Sequence, residues 1–388
     1  MLQYTHGAGL TESKPEIRSG LDGVYFMESA ICKVDGANGR LYYYGYPIDE
    51  LAAESNFEEV SYLLMNGRLP NLSELSSFRE RMRAARAIPG EVIDVITELS
   101  ERSTPMHILS TAVDMIGSLK REGPDRKSTY IEIISELSSV VAAIGSISAT
   151  GRYTRPEDSL GHIENFLYML KGERPNKESV EIMERMFILH AEHSSNASTF
   201  SAIVTASTLS DIYSSTVSAI NTLKGPLHGG ADEMALRMLN DMRGKDIARY
   251  VDNTIASGGR IMGFGHRVYK SYDPRATIIK GILESVQPKA SAEVRELTKT
   301  VLSLEAVMRD KVSSKGIWPN VDLFTGPVYR YLDILPELFT PIFAASRAPG
   351  WCSHIQEYWK SNKLLRPTVF YTGEVGKRYV PIEKRQGE

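Results

Sequence analysis

Asn56-Phe57-Glu58-Glu59-Val60 opens a helix that runs to Leu64, and Asn66-Gly67 stops it. That start-and-stop unit sets the texture of most of the chain. Upstream, Pro47-Ile48-Asp49-Glu50-Leu51 reads as another helix start. Downstream, helices are expected at about 73–87, 90–102, 106–120, 127–149, 157–170 and 177–194, then one long helix over about 197–222. The last is rich in Ser, Ala and Thr, and small side chains let a neighbour approach closely, which predicts a place in the middle of the bundle. Only the N-terminal region carries a strand signal. Ala30-Ile31-Cys32-Lys33-Val34 and Leu41-Tyr42-Tyr43-Tyr44 flank the turn-rich Asp35-Gly36-Ala37-Asn38-Gly39. The predicted fold is all-α with a small N-terminal β-hairpin.

Between about 224 and 334 Gly-rich turns alternate with helices at 231–243, 246–257, 274–285 and 290–311. A Pro-containing stretch then leads to helices at 335–345 and 350–361, before Arg366-Pro367. At 388 residues the chain exceeds the ~250–300 at which a single core usually stops growing. Two domains are therefore expected: a large helical one of residues 1–223 plus 335–388, and a small inserted one of residues 224–334.

Charged residues make up 24% and hydrophobic ones 42%, an ordinary globular composition. A net charge of −3 and a pI near 6.3 give no support for nucleic-acid binding. The apolar runs fall short of the ~20 residues that a membrane span needs. Met1-Leu2-Gln3-Tyr4-Thr5-His6 has neither the basic start nor the apolar stretch of a signal peptide. Cys32 and Cys352 are too few for a disulfide scaffold or a thiolate metal site. The expected location is the cytoplasm, with no nucleic-acid or membrane partner.

Three segments carry acid–base groups on turns: Gly225-Pro226-Leu227-His228-Gly229-Gly230, Gly263-Phe264-Gly265-His266-Arg267-Val268-Tyr269-Lys270, and Asn320-Val321-Asp322-Leu323-Phe324. Two histidines and a carboxylate are what concerted proton transfer at carbon requires. His228 runs straight into the helix start Ala231-Asp232-Glu233, and a nearby helix N-terminus disfavours its cation, which suits a neutral imidazole donating to a carbonyl oxygen. Around His266, Arg260, Arg267, Lys270, Arg275 and Lys280 stand against the single Asp273, a local charge of +4 over 21 residues. That cluster is expected to form a cationic pocket for a carboxylate- or phosphate-bearing ligand. Asp322 lies among Val321, Leu323 and Phe324, where desolvation would make it a stronger base than a free aspartate. His190 and His193, three apart on a predicted helix, share a face, but Leu189-His190-Ala191-Glu192-His193 is not the His-Glu-x-x-His zinc pattern. No metal site is expected.

Together with His193-Ser194-Ser195-Asn196-Ala197-Ser198-Thr199, Asp273-Pro274-Arg275-Ala276 and Pro319-Asn320-Val321-Asp322, these segments closely resemble the citrate synthase family in order and spacing. The resemblance covers the chain from about residue 20, and its length is similar to the compact dimeric archaeal and Gram-positive branch. It implies the two-domain, all-α citrate synthase-like fold. It also implies condensation of acetyl-CoA with oxaloacetate and water to citrate and CoA, through an enol and citryl-CoA. By the same resemblance Asp322 removes the methyl proton, His228 hydrogen-bonds the thioester oxygen and His266 polarises the ketone. His193, Arg275 and Arg347 would hold the oxaloacetate carboxylates, with Arg366 reaching the site from the second subunit of a homodimer. Arg260, Ile261, Met262, Gly263 and Phe264 would contact the adenine part of CoA, and Lys315 a phosphate.

On this reading the CoA thioester is a substrate, no cofactor is bound, and the small domain closes over the large one. Two departures stand out. Thr368 follows Arg366-Pro367 where many relatives have a second arginine, and Ser194-Ser195 follows His193 where relatives often carry a larger or acidic residue. The alternatives are 2-methylcitrate synthesis from propionyl-CoA, a His/Asp metal-dependent hydrolase, and a catalytically silent CoA-binding relative.

Overall fold

The computed structural model describes residues 15–120 and 126–385, so the N-terminal Met1–His6 stretch lies outside the described residues. Among them are sixteen α-helices and one three-stranded antiparallel sheet, Cys32–Asp35, Arg40–Tyr43 and Tyr46–Pro47. The fold is all-α. The predicted hairpin is present, extended by a third, two-residue strand too short to carry a sequence signal. Residues Ser29–Lys363 form one compact unit; the segments up to Glu28 and from Leu364 form a second.

Local chemistry sets most helix ends. Asn56 accepts from the Glu59 N–H to start the helix Phe57–Asn66, and Gly67 ends it in the left-handed region at φ 75°. Asn71 and Glu74 form a reciprocal capping box on Leu72–Ala84. Asn176, Asn196, Asp211, Asp246, Asp273 and Ser291 cap later helices by accepting a first-turn backbone N–H, each worth about 0.5–2 kcal/mol.

Three departures from the sequence reading reshape the surroundings of the site. The expected long helix at 197–222 is two, Ala197–Ser207 and Ile212–Leu223, because Leu209 turns left-handed at φ 64° and Asp211 caps a new start. The expected close approach occurs between these two: the Ser201 and Ser218 hydroxyls meet at 2.6 Å. The helices expected at 335–345 and 350–361 are instead one, Phe339–Trp359, continuous through Pro349. Packing on every side holds it together despite the missing N–H. The helix Lys177–His190 ends earlier than expected, leaving His193 in the following turn, where Ser194 has φ 54°. His190 and His193 therefore do not share a helix face.

Phe339–Trp359 is the centre of the unit, wrapped by Phe57–Asn66, Arg126–Thr150, Lys177–His190, Ala197–Ser207 and Ile212–Leu223. Ser128–Thr150 has the length of a membrane span and contains an 18-residue window of mean hydropathy 1.5, contrary to the impression left by the short apolar runs. With 83% of its apolar window buried, it is apolar on all sides because other helices surround it. The helices Ala231–Met242, Pro274–Val286, Ala292–Val312 and Asp322–Tyr331 pack mainly on one another. Ala231–Met242 also touches Phe339–Trp359, and Pro274–Val286 touches Ile48–Glu54 and Lys177–His190.

The hairpin braces two loops. Tyr43 donates its hydroxyl to the carbonyls of Ile188 and Glu192, at 3.1 and 2.9 Å. At the turn, the Gly36 carbonyl accepts from the Lys270 N–H at 3.0 Å and the Ser271 hydroxyl at 3.1 Å. A Cβ on Gly36 would lie 2.2 Å from the Val268 carbonyl oxygen, so this approach requires glycine.

Candidate active site

His228 lies half-buried in the turn that leads into Ala231–Met242. Its Nε2 accepts from the Ser198 backbone N–H at 3.3 Å and stands 2.9 Å from the Ser198 hydroxyl. That hydroxyl lies 2.7 Å from Asn196 Oδ1 and accepts from Trp351 Nε1 at 3.1 Å. A backbone donor aimed at Nε2 leaves the proton on Nδ1. Burial, with Arg347 nearby, pushes the pKa down to about 4, so the ring is neutral.

His266 has the opposite tautomer. Its Nδ1 accepts from the backbone N–H groups of Val268 and Tyr269, at 3.0 and 3.1 Å, so Nε2 carries the proton. Burial and Arg275 bring this pKa down to about 4 as well. The His266 ring stands 5.1 Å from that of His193 and 4.7 Å from Tyr269. His193 is buried, reaches the Tyr269 hydroxyl through Nε2 at 3.2 Å, and is kept neutral by burial and by Arg275. Two imidazoles thus each hold a free N–H donor, fixed by backbone groups that do not titrate.

Asp322 is the first residue of the helix Asp322–Tyr331 rather than a loop residue. The preceding segment pairs with the His266 loop: Gly265 N–H donates to the Trp318 carbonyl at 2.9 Å, and Asn320 N–H to the Gly263 carbonyl at 3.0 Å. Asn320 also donates Nδ2 to the Gly265 carbonyl and accepts from the Asp322 N–H, at 3.0 and 3.1 Å. This clasp ties the His266 loop to Asp322. Burial raises the Asp322 pKa, opposed by Asp232 and by Arg275.

Arg275 and Arg347 are both buried. Arg275 donates Nε and Nη2 to Asp273 at 3.1 and 2.7 Å, which leaves Nη1 outside the pair. Arg347 donates Nε to the His190 carbonyl at 2.6 Å and stands over the Phe343 ring at 4.8 Å. Burial lowers its pKa to about 10, opposed chiefly by Glu192, whose Oε1 pairs with His354 Nε2 at 2.8 Å. His228 feels the Arg347 charge, His266 and Asp322 feel Arg275, and His193 feels both. The three acid–base residues, His193 and two arginines therefore belong to one cluster.

The expected cationic pocket is narrower than the sequence implied. Of its five cations only Arg275 is in the cluster; Lys280 pairs with Glu305 at 2.7 Å, and Arg260, Arg267 and Lys270 are exposed. Gly263 and Phe264 lie in the clasp, where Phe264 bridges Pro319, while Ile261 is buried and Met262 half-buried. Lys315 is exposed at the end of the 3-10 turn Ser313–Lys315. Arg366 is exposed and belongs to the unit formed by the terminal segments. Sequence reading gave no role to Asp232, Tyr269, Asn320 or Trp351, because only their neighbours in space distinguish them. Among the described residues no three His, Cys, Asp or Glu side chains are grouped to hold a metal ion.

The family model described as citrate synthase, C-terminal domain, matches residues 20–368. The chain belongs to the citrate synthase family. A citrate synthase of Deinococcus radiodurans is 41% identical over 376 residues, covering 95% of this chain and 99% of its own. A 2-methylcitrate synthase of Mycobacterium tuberculosis is 36% identical over 371 residues, covering 94% and 93%. The citrate synthase of Thermoplasma acidophilum, solved as a ternary complex with carboxymethyl coenzyme A and oxaloacetate, superposes with a TM-score of 0.91 at 35% identity. That match covers 95% of this chain and all of the other. As a member of the citrate synthase family, the chain is an acyl-transferring enzyme of the condensing type.

Proposed function

We propose that this enzyme condenses acetyl-CoA with oxaloacetate and water, giving citrate and CoA. The observation that carries the reading is the pair of neutral histidines with opposite tautomers, each holding one N–H donor, in the same cluster as a half-buried carboxylate. Asp322 takes a proton from the thioester methyl group. His228 Nδ1–H donates to the thioester oxygen as charge develops there, without which a carboxylate could not form the enol. The enol carbon attacks the ketone of oxaloacetate, whose oxygen accepts from His266 Nε2–H. Hydrolysis of the citryl thioester then releases CoA and makes the sequence effectively irreversible.

His193, Arg275 through its free Nη1, and Arg347 hold the oxaloacetate carboxylates. Two buried guanidiniums, Arg275 with Nη1 outside its pair with Asp273 and Arg347 beside Glu192, suit a dianion. The partner subunit's Arg366 completes that site in a homodimer. Arg260 to Phe264 line the adenine part of CoA, Lys315 meets a phosphate, and the 224–334 region closes over the rest of the chain to exclude water. The cytoplasm is the proposed location. No resident cofactor or metal takes part in these steps.

Propionyl-CoA, giving 2-methylcitrate, is the second reading, favoured by the 36% identical relative of that name. One methylene in an apolar pocket is worth only ~1–3 kcal/mol of discrimination. The test follows free-thiol release from acetyl-CoA and from propionyl-CoA, each with oxaloacetate. The ratio of the two kcat/KM values decides between them. Asp322→Asn should lower kcat by roughly 10²- to 10⁴-fold. An unmodified enzyme that releases no thiol from either thioester would overturn the condensing reaction.

A further inference from the structure

Asp232 lies on the first turn of Ala231–Met242, four residues beyond His228, on a helix that packs against Asp322–Tyr331. It is 1% exposed, and its carboxyl group is within hydrogen-bonding reach of that of Asp322. No described group donates to Asp232 Oδ1. Tyr329, two turns along from Asp322, is also 1% exposed, and its hydroxyl, which has no partner either, feels the Asp232 charge. An ionised Asp232 would thus be a buried anion with no donor, facing a second anion. Two contacting carboxylates in such a setting share one proton.

We infer that Asp232 is a positioning residue for the reaction: it stays protonated and donates its O–H to the Asp322 carboxylate, fixing one oxygen of the base and leaving the other for the substrate. The inference rests on the reading of Asp322 as the base. The proton belongs on Asp232 because its partner is less buried. Other ionisable groups around the pair are few. Tyr329 faces it from Asp322–Tyr331; Arg275 and Asp273 face it from the start of Pro274–Val286. Ala292–Val312 and Phe339–Trp359, which also touch Ala231–Met242, bring no ionisable side chain to bear on Asp232 among the described residues. Burial and Asp322 both act to hold the Asp232 proton.

The assignment makes Asp232→Asn and Asp232→Leu behave differently. The amide still donates to Asp322; leucine, of similar size, does not. With acetyl-CoA and oxaloacetate, Asp232→Asn should keep kcat within about threefold, whereas Asp232→Leu should lose roughly 10- to 100-fold, the worth of a hydrogen bond to a charged group. In Asp232→Leu the acid limb of the kcat profile should also move to higher pH, because Asp322 loses the donor that favours its anion. Infrared difference spectra of the unmodified enzyme minus Asp232→Asn, at neutral pH, should contain the carbonyl stretch of a protonated carboxylic acid.

No such band, or the same acid limb in both variants, overturns the inference. The infrared result does not depend on either variant's activity. Failure of the base reading has a separate signature: Asp322→Asn would retain its kcat, and the positioning role would fall with it.

Discussion

Ser198 and His228 meet through two groups: the Ser198 backbone N–H donates to His228 Nε2 at 3.3 Å, and the Ser198 hydroxyl lies 2.9 Å from the same nitrogen. The backbone donor fixes the tautomer, so removing the hydroxyl should disturb the ring less than removing the ring itself. His228→Ala should lower kcat by about 10²- to 10³-fold with the oxaloacetate KM little changed. Ser198→Ala should cost about tenfold or less, since the hydroxyl's contacts with His228, Asn196 and Trp351 go but the backbone donor stays. Steady-state kinetics on both variants checks the order.

His228 and His266 should titrate near pH 4 rather than the usual 6.5 or so, followed through their ring protons by NMR. Both folded pKa values are depressed, so between about 6.5 and 4 the unfolded chain binds more protons than the folded one. Buried His162 and His190, each near 3, act in the same direction. Stability from these groups is complete above about 6.5 and is lost as pH falls towards 4. Melting temperature should therefore drop across that window.

Glu184 carries the opposite sign. Burial raises its carboxyl to about 8, and it accepts from the Phe57 N–H at 2.7 Å. Its contribution is present below about 4.5 and is lost as pH rises through 8. Glu184→Gln should flatten that alkaline decline in melting temperature. An unchanged slope would show that Glu184 titrates normally.

Gly263 has φ 79°, and a Cβ there would lie 2.8 Å from Leu323 Cα, next to Asp322. Gly263→Ala should cost about 1–3 kcal/mol of stability and lower kcat, because the strain falls on the clasp that ties Asp322 to the His266 loop. Chemical denaturation and initial rates on the same preparation would separate the two effects.

Gly350 allows the central helix to press against the turn that leads to His193. A Cβ there would lie 2.3 Å from Glu192 Oε2 and 2.4 Å from the Ala191 carbonyl oxygen. Gly350→Ala is expected to raise the oxaloacetate KM more than it lowers kcat, since Arg347 and His193 are displaced rather than Asp322. It should also destabilise the fold by about 1–3 kcal/mol. A kcat loss with KM unchanged would contradict this.

The sequence by itself determined what local chemistry determines. Asn56 and Gly67 mark both ends of their helix, and Asp35-Gly36 and Asn38-Gly39 mark the hairpin turn, because caps and turns use side chains only a few residues away. The motifs around His228, His266 and Asp322 were also legible, since their order and spacing are properties of the chain. Tertiary packing decided the rest. It carried the central helix through Pro349, where local rules predict a break, because burial on every side outweighs one missing hydrogen bond. It put His193 beyond its helix and separated Arg275 from the four other cations counted with it. It also selected opposite tautomers for two histidines that look alike in sequence, and brought Asp232 against Asp322 across 90 residues of chain. A tautomer and a shared proton depend on which donor lies within about 3 Å, and that distance exists only once the helices have packed.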